Sequence, residues 1–372
     1  MSDAALPSPW IVSRTYDLAW FFGGAALSLL VLALHLGAGV SIVALWWIWI
    51  LGFDGPHMAA AFTRTYADRE EWRRRPAVLG ASLLAFAVGP ACLALNLVTG
   101  SASPFLLFLA VATFYSSYHL VRQHYGFVAL YRARSGDRSP VRFDRLSLYV
   151  GCWAPYGYLL VSHPKARAIL GLPSSASPAE RAGAVVLALL YVIALLAFSV
   201  RALSRPAGPK AAYFLATLLR YGIAYLLVAR LEPVYTASRG PDEDFLLLSI
   251  LLGITHNVEY IGLVWFHNRN RYAAKAADFG PARVVNGSVG RYLATCAAFS
   301  LTVYLAVAAS TGVFPGPSLG LTGHVGPFAA SQLALAVWWG IALNHYIVDQ
   351  KIWRIRGDAE LARNLRLTPV SA

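Results

Sequence analysis

The chain has 372 residues, of which 58% are hydrophobic and only 13% charged, with a formal net charge of +13. A soluble domain carries about 25% charged residues, so the composition excludes that class and points to an all-α, polytopic transmembrane helix bundle. The positive balance needs no nucleic acid as partner, because basic residues beside apolar segments face anionic headgroups of the bilayer, at ~1 kcal/mol each near the surface.

A transmembrane helix needs roughly 20 mostly apolar residues. Stretches of that kind recur ten times, at about 18–36, 40–63, 77–99, 104–131, 145–162, 183–203, 211–229, 245–267, 290–311 and 328–350. Short segments rich in Arg, Pro and Gly separate them. The fourth and eighth are long enough to protrude or tilt. The N-terminus lacks the basic start, short apolar core and cleavage site of a secretory signal, so the first stretch is expected to be retained. With no convincing repeat, one membrane domain over 1–372 is expected, with a short N-terminal segment and an amphipathic interfacial tail after Trp353. Cys92, Cys152 and Cys296 lie in separate apolar stretches and form no CxxC or disulfide framework.

Lys and Arg in short loops stay on the cytoplasmic side. The segments after the even-numbered stretches hold most of them, including Arg73, Arg74, Arg75, Arg132, Arg269, Arg271, Lys351 and Arg354. The opposite side has Lys165, Arg167, Arg181, Arg230 and Arg239. Both termini are therefore expected in the cytoplasm, and the multi-pass location is the bacterial inner (cytoplasmic) membrane.

Six of the nine histidines fall toward the cytoplasmic ends of four stretches: His57 in the second, His119 and His124 in the fourth, His256 and His267 in the eighth, and His345 in the tenth. His35, His163 and His324 sit at or beyond the outer ends and read as interfacial or loop residues. Ionisable groups inside a membrane are costly unless paired or bound to an ion, and the six keep acidic company. Asp54 with His57 and His256 with Glu259 stand three apart; His345 with Asp349 stands four apart. Both spacings put the pair on one helix face. His119 and His124, five apart, diverge by about 140° on an ideal helix, and share one centre only if the helix bulges locally, as π-bulges do at functional sites. Counted from the basic anchors, most of the set lies roughly 9 to 15 Å deep, with His119 and His256 at about 20 Å and His267 at the water boundary, as if guarding an entrance.

Imidazole with carboxylate suits iron, zinc or manganese, and the lack of cysteine ligands excludes a thiolate or iron–sulfur site. The expected ligands are His57, His119, His124, His256, His345, Asp54, Glu259 and Asp349, with His267 at their edge. Glu259 and Asp349 double as catalytic carboxylates, and Arg122 or Arg220 would hold an anionic headgroup of the substrate. Glu259 is equally suited to pair with either arginine. The number of ligands suggests two metal ions. Tyr115, Tyr118, Tyr125, Tyr260 and Tyr346 read as packing and belt residues.

His119-x4-His124 resembles the first histidine box of the membrane fatty acid desaturase and hydroxylase superfamily. That resemblance implies two irons held by cytosolic-face histidines, O2 activation, and hydroxylation or desaturation of a lipid or hydrophobic small-molecule substrate. Electrons would come from a separate donor protein, since no flavin, haem-attachment or Rossmann motif is present. The chain departs from the family in having no adjacent His-His pair, so its later boxes are missing. Two other readings stay open: haem b held by paired histidines, as in membrane cytochromes, and a transporter of a metal ion or anion, for which His163, Glu232 and Asp242 would be the outer polar groups.

Overall fold

A computed structural model describes residues 8–137, 139–203, 208–227, 241–273, 278–312 and 323–367. Helices overlie all ten apolar stretches. They are α1 (Arg14–Leu36), α2 (Ile42–Arg64), α3 (Pro76–Thr99), α4 (Ser103–Ser135), α5 (Val141–Ser162), α6 (Pro178–Leu203), α7 (Pro209–Gly222, continued by Ile223–Leu227), α8 (Pro241–Arg271), α9 (Val289–Ser310) and α10 (Ala330–Ile352). Seven of these, α1 to α4, α6, α8 and α9, are long and apolar enough to cross a membrane, which makes this a multi-pass membrane protein. Extended structure among the described residues is limited to a hairpin in which His324 faces Ala329 and Val325 faces Phe328. Arg230, Glu232, Arg239 and Lys275 lie outside the described residues, as does the side chain of Asp242.

Several spanning helices contain one π-helical turn: Leu18–Phe22 in α1, Ile50–Asp54 in α2 and Ser300–Tyr304 in α9. A π turn inserts one residue and rotates the side chains beyond it. The α4 helix, which would have to bulge for His119 and His124 to share one centre, is regular α-helix over its 33 residues.

Contacts divide the chain into two compact units, one of Met1–Trp46 and Leu120–Glu259, the other of Trp47–His119 and Tyr260–Ala372. No boundary was expected, and none shows in a linear scan, because each unit is assembled from two distant segments and the division falls inside continuous helices.

In the first unit α1 packs closely on α8. Ser28 Oγ donates to the Leu251 carbonyl at 2.8 Å and lies 2.9 Å from Thr255 Oγ1. A Cβ on Gly24 would sit 2.7 Å from Thr255 Cα. Small residues and hydroxyl bonds of this kind drive helix association where lipid removes the hydrophobic force. In the second unit Gly89 meets Ala336, and Gly340 meets Phe86, so α3 lies against α10. Beyond the ends of α2 and α8, Asp68 caps the short helix Arg69–Arg74 by accepting from Glu70 N and Glu71 N, and takes bonds from Arg271 Nε at 2.9 Å and Tyr272 Oη at 3.0 Å. Much of the basic charge read as headgroup anchoring is thus tied into protein ion pairs: Arg74 and Arg75 both pair with Asp358 and Glu71.

Candidate metal centre

The Gly55-Pro56 pair that interrupts the second apolar stretch does not break the helix. Pro56 lies directly after the π turn, and the Leu51 carbonyl one turn back accepts from Ser300 Oγ at 2.8 Å, so a side-chain donor serves the turn that precedes the proline. A Cβ on Gly55 would lie 2.8 Å from Ser300 Cβ and 2.9 Å from the Tyr304 ring, so glycine lets α2 touch the π turn of α9. That contact brings Tyr304 Oη to donate to Asp54 Oδ2. Asp54 Oδ1 lies 3.9 Å from His57 Nδ1.

His57 from α2, His119 from α4 and His345 from α10 converge inside the second unit. Each offers a ring nitrogen within 4.8 Å of the others. The rings of His57 and His345 are 4.4 Å apart, and those of His119 and His345 5.1 Å. All three are buried. Neither ring nitrogen of His345 makes a hydrogen bond, although its nearly complete burial makes an unpaired polar group costly. Asp349, one turn on along α10, sets Oδ2 3.5 Å from His345 Nε2 and 3.9 Å from His119 Nε2. Its Oδ1 accepts from Tyr260 Oη at 2.6 Å. The Tyr260 ring stands edge-on to His57 and His345, at 5.0 and 5.1 Å.

His256 is buried on α8 one turn before Tyr260, a spacing that puts both on one face of that helix. Its carbonyl accepts from Gln123 Nε2 at 2.9 Å.

His124 and Glu259 do not join the three imidazoles. Five residues along a regular helix carry His124 to a different face, into a cluster in the first unit. Tyr213 Oη lies 2.9 Å from His124 Nδ1, and Arg220 Nη2 2.9 Å from Nε2. Because arginine stays protonated, Nε2 is the acceptor and the ring proton sits on Nδ1. Glu259 Oε2 is 3.5 Å from that Nδ1 and accepts from Gln123 Nε2 at 3.3 Å. Arg220, expected to meet a headgroup, is buried against His124. Arg122 is exposed and donates to Tyr149 Oη at 3.2 Å.

His267 stands apart too, inside the second unit. Its Nδ1 lies 2.9 Å from Asn268 Oδ1, its Nε2 3.4 Å from Asn364 Nδ2, and its ring 5.8 Å from that of Trp353. The outer His163 pairs with Asp244, 3.6 Å away with both buried. His119, read as deeper than His57, stands with it beside His345, the two rings 5.1 and 4.4 Å from that of His345.

Tyr260 and Tyr304, each bonded to a carboxylate beside an imidazole, were not read from the sequence as site residues. For Tyr260 a signal existed in its i, i+4 relation to His256. For Tyr304 there was none, since it lies 250 residues from Asp54. Arg64 and Trp353 were missed likewise: the buried guanidinium sits 3.7 Å over the indole.

No protein-family model, curated protein or solved structure matches the chain.

Proposed function

We propose that this protein is a membrane metalloenzyme in which His57, His119 and His345 hold a single first-row transition-metal ion. The observation that carries this is the convergence of buried imidazoles around His345, whose ring nitrogens have no hydrogen bond. Neutral nitrogen donors suit iron, zinc or copper better than magnesium or calcium. Two ligand nitrogens on one ion lie at most about 4.2 Å apart at bond lengths near 2.1 Å, so a group within 4.8 Å closes on one ion by small side-chain shifts. A second ion is not part of the proposal, because His124 and Glu259 are engaged with Arg220, Tyr213 and Gln123.

Iron is the metal favoured, and the reaction class is oxidation of a lipid or other membrane-soluble substrate by hydroxylation, desaturation or oxygenation. Bound iron would supply activation of O2. The chain's own residues orient the site: Asp54 Oδ1 lies 3.9 Å from Nδ1 of His57, on a side from which a carboxylate can orient a ligating histidine. Asp349 sets one oxygen toward His119 and His345 and accepts the Tyr260 hydroxyl with the other. Burial keeps bulk water from these groups. The arginine-rich ends of α2, α4, α8 and α10 are taken as cytoplasmic, which lets a soluble donor supply electrons.

Elemental analysis of purified protein tests the reading. About one equivalent of iron or another first-row metal is expected, lost in His57→Ala and His345→Ala. Full loading of His345→Ala would falsify it.

A further inference from the structure

The Tyr260 hydroxyl and the Trp353 indole form a line between the imidazole cluster and the polar end of the second unit, and it contains none of the proposed ligands. Tyr260 touches His57 and His345 edge-on and bonds Asp349. Behind it the Trp353 ring lies 6.1 Å away, and the His267 ring 5.8 Å beyond that. His267 meets Asn364, which lines a cavity of about 380 Å³ where Arg74, Arg271, Arg363 and Arg366 outnumber the two acids, Glu70 and Glu360. Tyr304 packs instead on Trp338 and Phe299, neither of which lines that cavity.

We infer that Tyr260 is a redox-active tyrosine that delivers one electron to the metal centre, refilled through Trp353 by an anionic one-electron reductant at the arginine-lined cavity. The inference rests on the metal-site reading above. Tyr260 would give up one electron to a metal held there and oxidised by O2, lowering that metal by one oxidation state. Its hydroxyl proton passes along the 2.6 Å bond to Asp349 Oδ1, leaving a neutral tyrosyl radical. An electron from the reductant, by way of Trp353, and the proton returned by Asp349 then restore the phenol. The reductant ends one electron poorer. The two aromatic residues have unequal roles for an electrostatic reason. Arg64 lies over the indole and its positive charge repels that of a tryptophan cation, whereas the tyrosyl radical is neutral because its proton has an acceptor. The electron vacancy therefore rests on Tyr260, and Trp353 only passes electrons.

The test is freeze-quench electron paramagnetic resonance on iron-loaded full-length protein mixed with O2. A tyrosyl signal that changes on ring-deuterated tyrosine labelling is expected in the wild type and in Tyr304→Phe, and is expected to vanish in Tyr260→Phe with iron content unchanged. With ascorbate as the reductant, Trp353→Leu should slow decay of the signal by roughly tenfold or more. An undiminished signal in iron-loaded Tyr260→Phe, or no signal in iron-loaded wild type, overturns the relay and leaves the metal site standing. Wild-type protein that binds no metal overturns both.

Discussion

Two buried polar clusters, one in each compact unit, are built from the same residue types and differ in what their imidazoles face. In the first unit His124 is saturated: Arg220 donates to one ring nitrogen, and Tyr213 and Glu259 flank the other. In the second, His345 has no hydrogen bond at either nitrogen, and His57 and His119 present their rings to it. A histidine inside a membrane can thus be a structural crosslink or a ligand, and its partners decide which. An arginine beside the ring excludes a cation, while further imidazoles invite one.

Five substitutions sharpen that contrast. The largest effect is expected from His345→Ala, which should abolish metal binding, while His124→Ala leaves the metal content of purified protein unchanged. Equal loss in both variants would merge the two clusters functionally and defeat the distinction. Next is Asp349→Asn, which keeps the shape and weakens the charge that faces His119 and His345; metal affinity in a chelator competition should fall by roughly 10- to 100-fold, the usual cost of losing an orienting carboxylate.

Arg220→Leu leaves His124 and Glu259 buried with fewer partners. It should lower stability in detergent by ~1–2 kcal/mol, the scale of interhelical polar bonds in membranes, with metal content intact, and a fall in metal content instead would count against the separation. The smallest effect is at the loop below the first cluster. Burial pushes the Asp137 carboxyl up, but hydrogen bonds from Lys210 and Ser139 outweigh it and hold its pKa well below the ordinary value. A depressed carboxylate contributes stability above its unfolded pKa of about 3.9, and that contribution is lost as pH falls from there through the native value. Lys210→Met should therefore be less stable than wild type from pH 7 down to about 4, with the gap narrowing in more acid solution; a gap independent of pH would show that packing, not charge, was lost.

Much of the helical layout was legible because it depends on local quantities. Long apolar runs bounded by Arg, Pro and Gly must satisfy their backbone internally in lipid, and helices lie over every run so identified. The site was legible in part. His57 with Asp54 and His345 with Asp349 are helical neighbours, so spacing alone paired them. His119 and His124 were grouped by shared residue type, although their 140° divergence, already visible in the spacing, separates them once α4 proves unbulged. Arg220 and Arg122 illustrate the same gap: both needed a partner in an apolar stretch, yet nothing local told that one would bury against His124 and the other bond Tyr149 at the exposed surface.

By itself the sequence determined that this chain folds as apolar helices with basic connections, and that histidines and acids concentrate toward one end of four of them. Composition and periodicity suffice for that, because each helix meets its backbone requirements alone. Tertiary structure decided which histidines meet, that Tyr260 and Tyr304 carry the carboxylates, and that two compact units are drawn from interleaved segments. Those outcomes depend on helix rotation, on π turns at Ile50–Asp54 and Ser300–Tyr304, and on the close approach that Gly55 permits. They are set by packing between segments up to 250 residues apart, which no local pattern encodes.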